Sequence, residues 1–138
     1  MDTESLVTDT ESELRALSSA LTDLHKGECL LCYVHRMLPL GCVGLRWATR
    51  YRDLRAPRAT ALEGRLGQKG GFCDCEIFLN AFEPARELLT PDHEVESDGA
   101  IHHVDADWPE QMPACRGVRA GSTQGCTLWV RQRRGSSW

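Results

Sequence analysis

Two short cysteine pairs constrain this chain more than any other feature: Cys29-Leu30-Leu31-Cys32 and, far downstream, Cys73-Asp74-Cys75. Four thiols in two clusters match the ligand set of a tetrahedral structural zinc site. Gly27-Glu28 precedes the first pair and a helical pattern follows it. Backbone N–H groups at such a helix start favour thiolate, the form a metal binds. The two-residue spacer lets both sulfurs reach one ion with bonds of ~2.3 Å. Gly70-Gly71 precedes the second pair and permits a tight turn there. The spacing predicts one structural zinc held by Cys29, Cys32, Cys73 and Cys75, stapling the start of a second helix to the end of a fourth. His35 lies one helical turn beyond Cys32 and is a candidate substitute ligand. An iron–sulfur cluster accepts the same four thiols. Plain buried cysteines are the bland alternative.

The remaining cysteines divide by distance. Cys42 follows the helix that Cys32 begins, so it should lie ~15 Å away along the axis and is read as core. Cys115 and Cys126, with His93, His102 and His103 in the same part of the chain, are candidates for a second metal site. The competing reading is unrelated scatter in a polar tail.

Length and composition set the outer bounds. A chain of 138 residues suits one domain. At 41% hydrophobic residues, the core must be built from part of it. The opening Met1-Asp2-Thr3-Glu4 is acidic and unlike a signal peptide. No run reaches the ~18 apolar residues of a membrane span. The expectation is a cytoplasmic protein. In a reducing compartment seven cysteines read as ligands, catalytic thiols or core rather than disulfides.

Periodicity predicts a mainly α fold. Leu14, Leu17, Leu21 and Leu24 form a helical stripe over about 10–25. Leu30, Leu31, Val34, Met37 and Leu38 mark a second helix, ended by Pro39 and Gly41. Trp47, Tyr51 and Leu54 mark a third, and a fourth should run from Pro57 to Leu66. Phe72–Phe82 fits either a short buried helix or a strand. The predicted organisation is a flexible 1–9, a metal-stapled helical domain over 10–82, a loosely ordered acidic connector over 83–113, and a basic segment over 114–138. The last two form an irregular extension with at most a short β arm.

Charge follows the same blocks. Residues 1–28 carry seven acids against two bases, and 83–110 carry nine acids against one arginine. Residues 46–69 carry seven bases against two acids, and 111–138 carry five arginines and no acid. Such blocks attract one another within one molecule before they attract partners.

Cys29-Leu30-Leu31-Cys32-Tyr33, Leu45-Arg46-Trp47, Arg52-Asp53-Leu54-Arg55-Ala56, Leu62-Glu63 and Gly71-Phe72-Cys73-Asp74-Cys75-Glu76 together resemble an uncharacterised family of small bacterial proteins. That family is known only as a domain of unknown function. The resemblance covers roughly 26–84, and the paired cysteines are its hallmark. Pro113–Arg119 with Gly121–Gln124 looks like an extension carried by some members. The resemblance implies that the helical unit and the cysteines belong together; it brings no reaction or ligand.

The functional expectation is a zinc-supported binding or adaptor module with an unknown protein partner. One alternative is a dithiol redox protein using Cys29 and Cys32. Another is a nucleic-acid module in which Arg46, Arg50, Arg52, Arg55 and Arg58 contact phosphates, with Trp47 or Tyr51 stacking on bases. Helical spacing places those aromatics with Leu54 on a core face instead. No GxSxG, P-loop, GxGxxG or HExxH occurs, so an enzyme is the less favoured class.

Overall fold

The computed structural model describes residues 3–132. At its centre is helix α2, Leu30–Met37, which buries Leu30, Leu31, Tyr33, Val34 and Met37. Apolar residues on nearly every side mean that it must be surrounded. Helix α3, Arg46–Arg55, packs on it through Trp47, Ala48 and Tyr51, while Leu54 points to solvent. Tyr33 ties the pair, with ring centroids 6.5 Å from Trp47 and 6.0 Å from Tyr51. Helix α4, Leu62–Gln68, adds Leu62 and Leu66. It begins after Pro57, because residues 57–61 are spent on turns. The stretch that admitted helix or strand is helical: a short turn α5, Asp74–Glu76, runs into a π-type turn over Ile77–Ala81 that buries Ile77, Phe78 and Ala81.

Helix α1, Thr3–Thr22, covers most of the helix that the leucine spacing predicts over 10–25, but it starts within the stretch read as a flexible end, stops before Leu24, and its stripe is not core. Leu14, Leu17 and Leu21 are each about 60% exposed (62%, 60% and 63%), and only Leu24, beyond the helix end, packs on the core. The link from α1 to α2 is held by polar contacts. Arg36 grips the buried Glu28 in a fork, Nε to Oε2 at 3.0 Å and NH2 to Oε1 at 2.9 Å. The same NH2 donates to the Asp23 carbonyl at 2.7 Å.

The chain beyond residue 82 holds more strand than a single short arm. Strand β1, Phe82–Pro84, pairs antiparallel with β4, Trp129–Arg131. The carboxy-terminal segment therefore folds back onto the helices and inserts Leu128 and Trp129 into the core. Between them, β2, His93–Ser97, and β3, Ala100–Val104, form a hairpin about an Asp98-Gly99 turn, with every strand residue exposed. Regular structure thus occupies the stretch expected to be a loose connector. Backbone pairing supplies the hairpin's order where apolar burial is missing.

Asp74 is the pivot of the far side. It is fully buried. Its carboxylate accepts the N–H of Trp47 at 2.9 Å and of Ala48 at 3.2 Å, at the start of α3. Its own N–H donates to the Gly44 carbonyl at 2.8 Å. The α3 N-cap residue, Leu45, has no side chain able to cap, so a distant aspartate does the work. Burial pushes the Asp74 carboxyl up, and the two N–H bonds pull against that shift. Asp74→Ala leaves buried amides unpaired and should lower unfolding free energy by about 1–3 kcal/mol. Urea denaturation reads this as a lower midpoint at unchanged slope. Asp74→Asn, which keeps one acceptor oxygen, should lose less.

Candidate metal centre

Cys29 caps the start of α2. Its extended backbone (φ −81°, ψ 162°) turns its sulfur onto the Cys32 N–H at 3.3 Å. Cys32 follows in the first turn. Both sulfurs face the carboxy-terminal segment, which supplies Cys115 and Cys126. The four Sγ atoms all lie within 4.8 Å of one another. Cys32 and Cys126 are 3.7 Å apart. Tetrahedral bonds of ~2.3 Å place ligand sulfurs roughly 3.8 Å apart, whereas a disulfide needs about 2.05 Å. All seven cysteines are free thiols.

N–H donors surround the sulfurs. The Cys29 N–H and the Gly117 N–H both donate to Cys115 Sγ at 3.3 Å. The Trp129 indole donates to Cys32 Sγ at 3.2 Å. Gly117 adopts φ +85°, the left-handed turn that aims its amide back at Cys115. Val118 then bonds the Gly27 carbonyl at 3.0 Å, fastening this loop beside Cys29. Such donors favour the charged form of sulfur.

The protonation pattern agrees with the geometry. The Cys29 thiol is lowered to about 5, first by the hydrogen bond from the Cys32 side chain and then by backbone N–H bonds, against burial. Cys32 is pushed up by donating in that bond and by burial. Burial also raises Cys126. A metal held by these four sulfurs would resolve the conflict by displacing the remaining protons.

Contrary to the predicted ligand set, Cys29 and Cys32 do not share a cluster with Cys73 and Cys75. The latter pair lies instead with Cys42, three sulfurs within 4.8 Å. The reason is the length of α2. Its eight residues span ~12 Å, with Cys29 at one end and Cys42 beyond the other. Asp74 anchors the CxC loop at the Cys42 end. Cys42 is exposed rather than core. Cys75 donates its N–H to Cys42 Sγ at 3.4 Å. Pairing with Cys75 lowers the Cys42 thiol and pushes Cys75 up to about 11.

His35 does not substitute for a thiol. Its ring packs 5.6 Å from Trp108, 5.5 Å from Phe78 and 5.6 Å from Trp129, and burial lowers its pKa. That aromatic wall borders a cavity of about 600 Å³ reaching Cys32, Cys115 and the Glu28–Arg36 pair. His93, His102 and His103 lie on the exposed hairpin, and none of them belongs to the cluster that takes Cys115 and Cys126.

The arginines of α3 are turned toward the chain itself. Arg46 lies over the Trp47 ring at 4.2 Å. Arg50 reaches the Thr22 carbonyl at 3.5 Å. Arg52 pairs with Asp53 and Glu63. Arg55 donates to the carbonyls of Glu28 at 2.7 Å and His25 at 2.9 Å. Arg58 sits in an exposed turn. Trp47 and Tyr51 are buried, on the core face that their spacing indicates. Among the described residues, no helix is long and apolar enough to cross a membrane.

The family model described as "Protein of unknown function (DUF2695)" matches residues 30–80. The resemblance to a family of unknown function therefore holds over that segment. No curated protein and no solved structure matches the chain. The matched segment contains Cys32, Cys42, Cys73 and Cys75. Cys29 falls just before it, and Cys115 and Cys126 lie well beyond it.

Gly125 tests how tightly the centre is packed. A Cβ there would stand 2.5 Å from Leu31 Cδ1 and 3.4 Å from Trp129 Cβ. Leu31 is buried and cannot swing into water. Gly125→Ala should cost about 1–3 kcal/mol through overpacking. It should also loosen any metal held by the adjacent Cys126, read as faster transfer of the ion to a chromophoric chelator.

Proposed function

We propose that Cys29, Cys32, Cys115 and Cys126 hold one structural zinc ion, and that the chain is a zinc-clamped binding or adaptor module. The observation that carries this reading is the convergence of four free sulfurs, from two segments far apart in sequence, with N–H donors on three of them. Soft thiolate sets select zinc and iron over magnesium or calcium. An iron–sulfur cluster spreads its cysteines around a many-atom core, whereas sulfurs within 4.8 Å of one another suit a single ion better. Four thiolates also fill a tetrahedral ion, leaving no position for substrate, so the metal's role is to hold the fold. Reduced thiols suit a reducing compartment such as the cytosol. The exposed leucines of α1 give an adaptor apolar surface to offer a protein partner.

The dithiol alternative has less support. Attack on a disulfide needs an accessible thiolate, and Cys29, the acidic thiol, is fully buried.

Elemental analysis of protein purified without added metal should find zinc that survives dialysis against a mild chelator. Cys126→Ser and Cys115→Ser should lose it, and His35→Phe should keep it. Forced removal should lower Tm by roughly 10 °C or more, the scale of a loss of about 3 kcal/mol in a chain this long. Absence of tightly held metal, with a Cys29–Cys32 disulfide that forms and reduces reversibly at a defined potential, would replace this reading with the redox one.

A further inference from the structure

We propose that Cys42, Cys73 and Cys75 form a second metal site, exposed and exchangeable, for a thiophilic d10 cation of the zinc class. Three observations carry it. The three sulfurs lie within 4.8 Å of one another. They come from two segments, the loop after α2 and the turn into α5, whose meeting is enforced by the core. Asp74, between the two thiols of the CxC, is fully buried and bonded to Gly44, Trp47 and Ala48 on the Cys42 side. The cluster is therefore fixed before any ion arrives. Its location also argues against packing as its purpose. Cys42 is exposed and Cys73 and Cys75 are half-buried, so these thiols are not filling the core.

The donor set selects the ion. Thiolate sulfur suits zinc and other soft or borderline cations, and not magnesium or calcium. The Cys75 N–H on Cys42 Sγ supplies a partner for a charged sulfur. Three thiolates leave one tetrahedral position over. Glu76 is at hand for it, since its Oε1 already accepts from Cys73 Sγ at 3.5 Å and Asn80 steadies Oε2 at 3.4 Å. A carboxylate or a water in that position is easily displaced. The site at this end of α2 therefore exchanges its ion or accepts an outside ligand on it, unlike the saturated centre at the other end.

The test uses the full reduced chain, first loaded with one equivalent of zinc. It is titrated with Zn²⁺ against a chromophoric chelator and, separately, with Cd²⁺ followed by thiolate-to-cadmium ultraviolet absorption. Wild type should take a second equivalent, more weakly than the first, and surrender it quickly to EDTA. Cys42→Ser, a change at an exposed position, should keep the first equivalent and the melting temperature. Its second equivalent should weaken by at least ~100-fold, since even the outer partners of metal ligands are worth about 10–100-fold. Glu76→Gln should weaken the second equivalent less and speed its release. In Cys126→Ser the weak equivalent should persist while the tight one is lost, so the two sites fail separately. Saturation of wild type at one equivalent, or a Cys42→Ser variant that still binds two, overturns the proposal.

Discussion

The fold depends on the amino-terminal end of α2 meeting a segment that is distant in sequence. Cys32 and Cys126 are 94 residues apart in the chain and 3.7 Å apart in space. Closing so long a loop costs conformational entropy, though the cost grows only slowly with length. The return comes from what closure buries. Leu128 and Trp129 complete the core around Leu31, and the β1–β4 pairing and Gln132 seal the turn over Phe78–Phe82. Backbone amides that would otherwise be orphaned at a helix start are turned to sulfur instead. One contact thus satisfies helix capping, core filling and thiolate stabilisation together.

Helix α2 also separates two chemistries. The four-thiol cluster at its amino-terminal end stands under an aromatic wall, with Cys29 fully buried and Cys126 nearly so. The three-thiol cluster beyond its other end stands at the surface, fastened by Asp74. Burial and donor count act in the same direction at each end. The first cluster brings four sulfurs together, two on buried and two on half-buried residues, and the second brings only three. The arginines of α3 spend their donors on the carbonyls and carboxylates that bind the α1–α2 linker and α4 to this frame.

Much of this was legible in the sequence, and the limits have physical causes. The positions of α2 and α3 follow from apolar periodicity, and the burial of Trp47 and Tyr51 follows from their shared face. Distance along α2 correctly separates Cys42 from Cys29 and Cys32. The same argument, extended to the CxC loop, would have required knowing which end of α2 that loop meets. Asp74 decides this, and a buried aspartate capping another segment's helix leaves no local signature. The exposed stripe of α1 shows that periodicity predicts a helix without predicting what covers it. The hairpin was readable: Asp98-Gly99 between Val95 and Ile101 is a two-residue turn signal, hidden by the acidic composition around it.

The matched family segment ends at residue 80, and this bears on how the molecule is put together. Residues 30–80 carry the whole three-thiol cluster and its aspartate anchor, but only Cys32 of the four-thiol cluster. The buried centre is thus shared between the matched segment and what lies outside it. Each side alone presents sulfurs that cannot saturate a tetrahedral ion. An ion bound there would couple the stability of the carboxy-terminal segment to that of α2, because neither half could release its ligands without stranding the other's. The surface cluster has no such dependence, since all three of its cysteines lie within residues 30–80. With an ion bound at each, folding linkage would belong to the four-thiol cluster and freedom to exchange to the three-thiol one.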